Sequence, residues 1–261
     1  MQKLTIVKIG GNIIDDEHQL PLFLKNFANI DGAKILVHGG GKLATSLSAK
    51  LGIETQMVDG RRITDAETLK VVSMVYVGWV NKNITAQLNA HGANAVGICG
   101  VDAKSIPAQK RPVVTVDYGF VGDIDASTIN IPFFQLLLDG GFIPVVAPIT
   151  ADAAQLLNTN ADTIASCLAI ALSSYYLTTL VYCFEKEGVL ANVDDEHSVI
   201  AELNEKSYHT YRKSGTIAKG MIPKLDNSFI ALDNGVSSVI IGHAQQLAQL
   251  LSNKSGTRIV L

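Results

Sequence analysis

Cysteine is scarce in this chain. Cys99, Cys167 and Cys183 are an odd number, are widely spaced and sit in apolar runs, so no disulfide framework is expected and a reducing, cytoplasmic compartment fits. Positive charge is not in excess either. Lys plus Arg is 21 against 24 for Asp plus Glu, a net charge of −3, whereas a nucleic-acid reader needs a basic footprint. No secretory leader is expected, because a strand-like stretch begins at Leu4 after a single lysine. Long uncharged runs are nearly absent. The exception, residues 163–184, carries Ser and Thr throughout and turns midway from helix-like to β-like composition. It reads as a buried helix followed by a buried strand, so no membrane partner is expected. Linkers rich in Pro, Gly or Ser are missing, as are internal repeats.

What is present is a globular composition, 48% hydrophobic and 17% charged over 261 residues, enough for one large domain or two small lobes. Apolar runs of strand length at 4–9, 34–37, 95–99, 143–147, 180–184 and 239–241 alternate with helical patterns. Helices are expected over 18–28, 42–51, 132–139, 161–172, 224–233 and 244–251. Another should start at Thr64, where Thr64 and Glu67 have capping-box spacing. The alternation predicts an α/β fold, a three-layer α/β/α sandwich around a mostly parallel sheet. Residues 107–124 suggest an inserted β-hairpin, and 206–222 read as a mobile loop, either a nucleotide-side element or a plain surface connection.

Two glycine clusters follow apolar strands: Lys8-Ile9-Gly10-Gly11-Asn12 and His38-Gly39-Gly40-Gly41-Lys42. Glycines there let backbone N–H groups approach an anion, and the following helix aims its positive end at the same place. Gly39, Gly41, Ala44 and Asp59 also satisfy a dinucleotide fingerprint, which keeps an NAD(P)-dependent oxidoreductase in view. That reading leaves Lys8, Gly10 and Gly11 unexplained. A P-loop fails because Leu43 follows Lys42, and an esterase fails for want of Gly-x-Ser-x-Gly. Lys8 is a solvated strand-end lysine or a phosphate ligand. Arg61 and Arg62 are a solvated turn or a carboxylate clamp. Asn158, Asn160 and Asp162 crowd one helix start, more polar groups than a cap requires. The six histidines show no ligand spacing, so no protein-built metal site is expected.

These clusters continue in order through Gly60-Arg61-Arg62-Ile63-Thr64, Val80-Asn81-Lys82, Ala95-Val96-Gly97-Ile98, Gly119-Phe120-Val121-Gly122-Asp123-Ile124, Asn158-Thr159-Asn160-Ala161-Asp162, Gly220-Met221-Ile222-Pro223-Lys224 and Gly256-Thr257-Arg258-Ile259. The ordered set resembles the amino acid kinase superfamily over nearly the whole chain, and within it the branch that phosphorylates N-acylated glutamate on the microbial route to arginine. The resemblance implies ATP, with Mg²⁺ held mainly by its phosphates, and transfer to the γ-carboxylate of N-acetylglutamate. Alternatives are N-succinylglutamate or another small-molecule acceptor of the superfamily.

The resemblance further implies catalytic roles for Lys8, Lys224 and Asp162. It implies acylglutamate contacts at Arg62, Asn158, Gly40, Gly41 and Arg61, and nucleotide contacts at Gly10, Gly11, Gly39, Glu185 and Gly220. An N-terminal lobe, 1–175, would bind acylglutamate and dimerise, and a C-terminal lobe, 176–261, would bind nucleotide. Departures are Arg61, where an apolar residue is usual beside the acyl methyl, and Phe184-Glu185-Lys186, which replaces Ser/Thr-Asp-Val. A third is Ala218-Lys219 ahead of Gly220, where glycine is usual. No extra N-terminal helix precedes the first strand, so a homodimer insensitive to arginine is expected.

Overall fold

The computed structural model describes residues 1–58, 60–192, 194–217 and 221–261. In chain order the strands are β1 (Lys3–Ile9), β2 (Ala33–His38), β3 (Met57–Val58), β4 (Arg61–Arg62), β5 (Ala95–Cys99), β6 (Gln109–Lys110) and β7 (Val121–Asp123). They continue with β8 (Ile143–Ala147), β9 (Ile149–Asp152), β10 (Gln155–Thr159), β11 (Leu177–Phe184), β12 (Glu202–Asn204), β13 (Ser238–His243) and β14 (Thr257–Val260). The α-helices are α1 (Gly11–Ile14), α2 (Gln19–Ala28), α3 (Gly41–Lys50), α4 (Ala66–Ser73), α5 (Asn81–Ala90), α6 (Ile131–Asp139), α7 (Ala161–Ser173), α8 (Glu205–Ser214), α9 (Ile222–Asp233) and α10 (Leu247–Leu251).

The main sheet has the order β12-β14-β13-β11-β1-β2-β8-β5 and is parallel except at the β13/β14 junction. Its central strands are mostly apolar because both faces are covered. The period of two sorts them: Leu4, Ile6, Leu180 and Tyr182 pack on the face of α6, α7 and α9, and Val7, Ile9, Val181 and Cys183 face α2, α3, α4 and α5. This is the expected three-layer sandwich. β1 is central, flanked by β11 from the second half of the chain and β2 from the first. All six expected strands form, and the uncharged run 163–184 divides between α7 and β11.

Three local expectations need correction. The helix after Arg62 is capped by Asp65, whose carboxylate accepts from Thr68 N at 2.7 Å, and not by Thr64. The Thr64 hydroxyl is engaged elsewhere, donating to the Arg62 carbonyl. Residues 206–222 are not mainly loop: α8 occupies most of the span. It is short of apolar residues, so no stripe betrays it. Asn204 caps its start, Gly215 closes it at φ +74°, and Arg212 and Lys213 stand in its last turn. Residues 107–124 do contain the antiparallel β6/β7 pair, but β10 and β9 extend it into a four-stranded sheet.

Candidate active site

The C-terminal ends of β1, β2 and β11 and the starts of α1, α3, α7 and α9 meet at one crevice. Lys8, near the end of β1, and Lys224, in the first turn of α9, both contact Asp162 in the first turn of α7. Lys8 Nζ lies 2.7 Å from Asp162 Oδ1, and Lys224 Nζ donates to Oδ2. Local chemistry sets each position. Pro223 suits the opening turn of α9. The Asn160 side chain caps α7, accepting from the N–H groups of Asp162 and Thr163 at 2.8 and 3.1 Å. Tyr182 of β11 donates to the Asp162 carbonyl, and Ser166 donates to Asn227 O, tying α7 to α9.

Two ammonium groups share one carboxylate, so the cluster carries a surplus positive charge with little water around it. Burial pulls the Lys8 ammonium below its ordinary value and Lys224 pulls the same way, against Asp162. For Asp162, burial alone would raise the carboxyl, but the two lysines outweigh it and hold it well below the usual carboxylate range. An incoming anion would relieve the surplus.

Two neighbouring cavities open here, and Lys8 and Lys224 line the larger. The larger, about 680 Å³, is lined by Lys8, Gly10, Gly11, Glu185, Met221 and Lys224 among others. Its size suits a nucleotide. The smaller, about 160 Å³, is lined by Gly39, Gly40, Arg61, Tyr76 and Asn158 among others. Gly41 and Arg62 line both. Gly40, at φ +149°, opens α3 and brings the helix start to the shared wall.

Arg62 is buried and held on three sides: Nη1 donates to Thr55 Oγ1, and Nη2 donates to Gly41 O and to Thr45 Oγ1 at 2.9 and 2.8 Å. Two of its five N–H groups remain for a ligand. Asn158 Nδ2 donates to Thr64 Oγ1 at 3.0 Å, and that hydroxyl bonds the Arg62 carbonyl, so the two residues form one unit. Arg61 is half-buried rather than a solvated turn. Burial, then Arg111, lowers its pKa, while Asp123 opposes. Asp123 is paired with Arg111.

Beneath the glycine loop, His38 is fully buried. Its Nδ1 donates to Gly39 O at 2.7 Å, so Nε2 accepts from Asn81 Nδ2 at 3.1 Å. Asn81 also donates to Val145 O. Burial lowers the His38 pKa to about 4, leaving the ring neutral.

Lys8, Lys224 and Asp162 thus come together, as do Arg62, Asn158, Gly40, Gly41 and Arg61 around the smaller cavity. Gly10, Gly11 and Glu185 line the larger one. Gly39, expected on the nucleotide side, lines the smaller cavity instead. Gly220 lies outside the described residues, as does Asp59 of the dinucleotide fingerprint. Reasoning from sequence missed Thr45 and Thr55, which hold Arg62, and Tyr76. Only the four-residue spacing from Gly41 to Thr45 on α3 hinted at any of them.

The amino acid kinase family model matches residues 3–243, and the chain belongs to this family. Acetylglutamate kinase from Cytophaga hutchinsonii is 54% identical, covering 100% of this chain and 99% of that protein. Acetylglutamate kinase from Phocaeicola vulgatus is 53% identical, covering 99% and 98%. The crystal structure of a Streptococcus mutans protein superposes with a TM-score of 0.80 at 24% identity, over 98% of both chains, and shares the fold.

Proposed function

We propose that this chain is an acetylglutamate kinase, transferring the γ-phosphoryl group of ATP to the γ-carboxylate of N-acetylglutamate on the route to arginine. The observation that carries the reading is the pair of ammonium groups on Asp162, both lining a nucleotide-sized cavity that shares its Gly41 and Arg62 wall with a smaller one lined by Asn158. A carboxylate nucleophile is ionised at neutral pH, so the reaction needs no general base. Its barrier is repulsion between that anion and the triphosphate, which positioning and positive charge must overcome. Lys8 and Lys224 supply the charge from two sides, and Asp162 keeps both aimed at the transferred group. Glycine N–H groups of the two loops cradle phosphate oxygens, and Arg62 with Asn158 takes the substrate's α-carboxylate. Mg²⁺ held by the phosphates of ATP would supply further neutralising charge.

Residues 1–175 would carry the acylglutamate site and a dimer interface, and 176–261 most of the nucleotide site. Exposed Met74 and Trp79 offer apolar surface for a second copy, and sedimentation at twice 27.8 kDa checks the homodimer. No helix among the described residues is long and apolar enough to cross a membrane.

Arg61 favours a second reading, N-succinylglutamate as the preferred acceptor. It lines the smaller cavity beside Arg111, whose own carboxylate partner is Asp123. A guanidinium there suits an acyl group ending in a carboxylate. Coupled ADP release distinguishes the readings. Release that depends on N-acetylglutamate supports the first, a strong preference for N-succinylglutamate replaces it with the second, and no release with either overturns both.

A further inference from the structure

Tyr76 sits in a π-helical segment, Met74–Val80, that joins α4 to α5, and only 5% of its surface is exposed. Such segments are rare and concentrate at functional sites. Here it brings the Tyr76 ring up against Gly40. A Cβ added to Gly40 would stand 2.9 Å from Tyr76 Cδ1 and 3.1 Å from Cε1, so the two positions admit each other only because residue 40 has no side chain. The ring thereby lines the smaller cavity with Arg62 and Asn158.

Tyr76 and the Arg62 guanidinium share the wall of the smaller cavity. Burial pushes the phenol pKa up, with the Arg62 charge pulling the other way, so the hydroxyl keeps its proton at neutral pH. An arginine offers only donors. Toward that guanidinium the phenol can present only its oxygen, which leaves its hydrogen for another acceptor. A tyrosine only 5% exposed, its hydroxyl unpaired among the described residues, shares a cavity wall with an arginine that has N–H groups to spare, a setting that suits an anionic ligand.

We propose that the Tyr76 hydroxyl donates a hydrogen bond to the same substrate carboxylate that Arg62 receives, so that Tyr76 is a binding residue for the acceptor substrate. The assignment rests on the acylglutamate reading. Its test is Tyr76→Phe, which keeps the ring against Gly40 and removes the hydroxyl alone. KM for whichever acylglutamate the wild type uses should rise roughly tenfold, the size of one lost hydrogen bond to a charged group. The KM for ATP, kcat and the thermal midpoint should stay near wild type. An unchanged acylglutamate KM, or an equal rise in the ATP KM, overturns the assignment while leaving the kinase reading intact. A wild-type enzyme that uses neither N-acetylglutamate nor N-succinylglutamate overturns both.

Discussion

Asp162 has a different partner on each carboxylate oxygen, and that arrangement gives the two lysines one task. Lys8→Ala and Lys224→Ala should each lower turnover at least about a hundredfold, the scale of a lost preorganised donor, with the circular dichroism spectrum unchanged. Near-normal rates in both variants would remove the lysines from the chemistry. His38 makes a separate prediction, about pH. Its pKa of about 4 in the fold lies below the ordinary 6.5, so the unfolded chain takes up the proton more readily. The stabilisation is complete above pH 6.5 and is lost as pH falls toward 4, amounting to about 3 kcal/mol for a group this deeply buried. Urea unfolding of wild type between pH 6.5 and 4 should show this slope, and His38→Gln should flatten it. Asp162 also has its pKa lowered, but from 3.8, so its contribution fades only at still lower pH. At this scale the sequence was only half legible. Lys8 beside two glycines was conspicuous, yet nothing local separates a solvated strand-end lysine from one bonded to a carboxylate more than 150 residues away.

Elements place these side chains, and their caps decide how firmly. Asn160 caps α7 at the turn that holds Asp162, so Asn160→Ala should cost about 1 kcal/mol of stability and also slow turnover. Asn204, which caps α8 by accepting from Ser207 N at 2.9 Å, makes a control. Asn204→Ala should cost a similar amount and leave kcat unchanged. Comparing kcat with urea midpoints for the two variants checks both halves. Most elements were legible because their signals are local: strands as apolar runs, and helices as the longer periodic stretches between them. Helix α8 was not, because a helix that buries little beyond Tyr208 leaves no 3.6-residue stripe. The π segment before Asn81 was equally silent, since its apolar residues read as ordinary helix.

At the scale of the molecule, the sheet interleaves the two halves of the chain, with β1 and β11 adjacent, so the larger cavity draws its walls from both. A ligand there should stabilise the whole fold. A non-hydrolysable ATP analogue at a hundred times its Kd should add about 2.7 kcal/mol and raise the thermal midpoint by several degrees. No shift would place the nucleotide elsewhere. By itself the sequence determined the alternation of strands and helices, the glycine turns at the ends of β1 and β2, and the polar cluster at the start of α7, because each follows from residues within a few positions of one another. Only the tertiary structure decided that Lys8 and Lys224 meet on one carboxylate, that Arg62 is held by Thr45 and Thr55, and that Tyr76 lies on Gly40. Those contacts span long loops, and their geometry comes from strand order and from which face of each helix packs on the sheet, which no local pattern encodes.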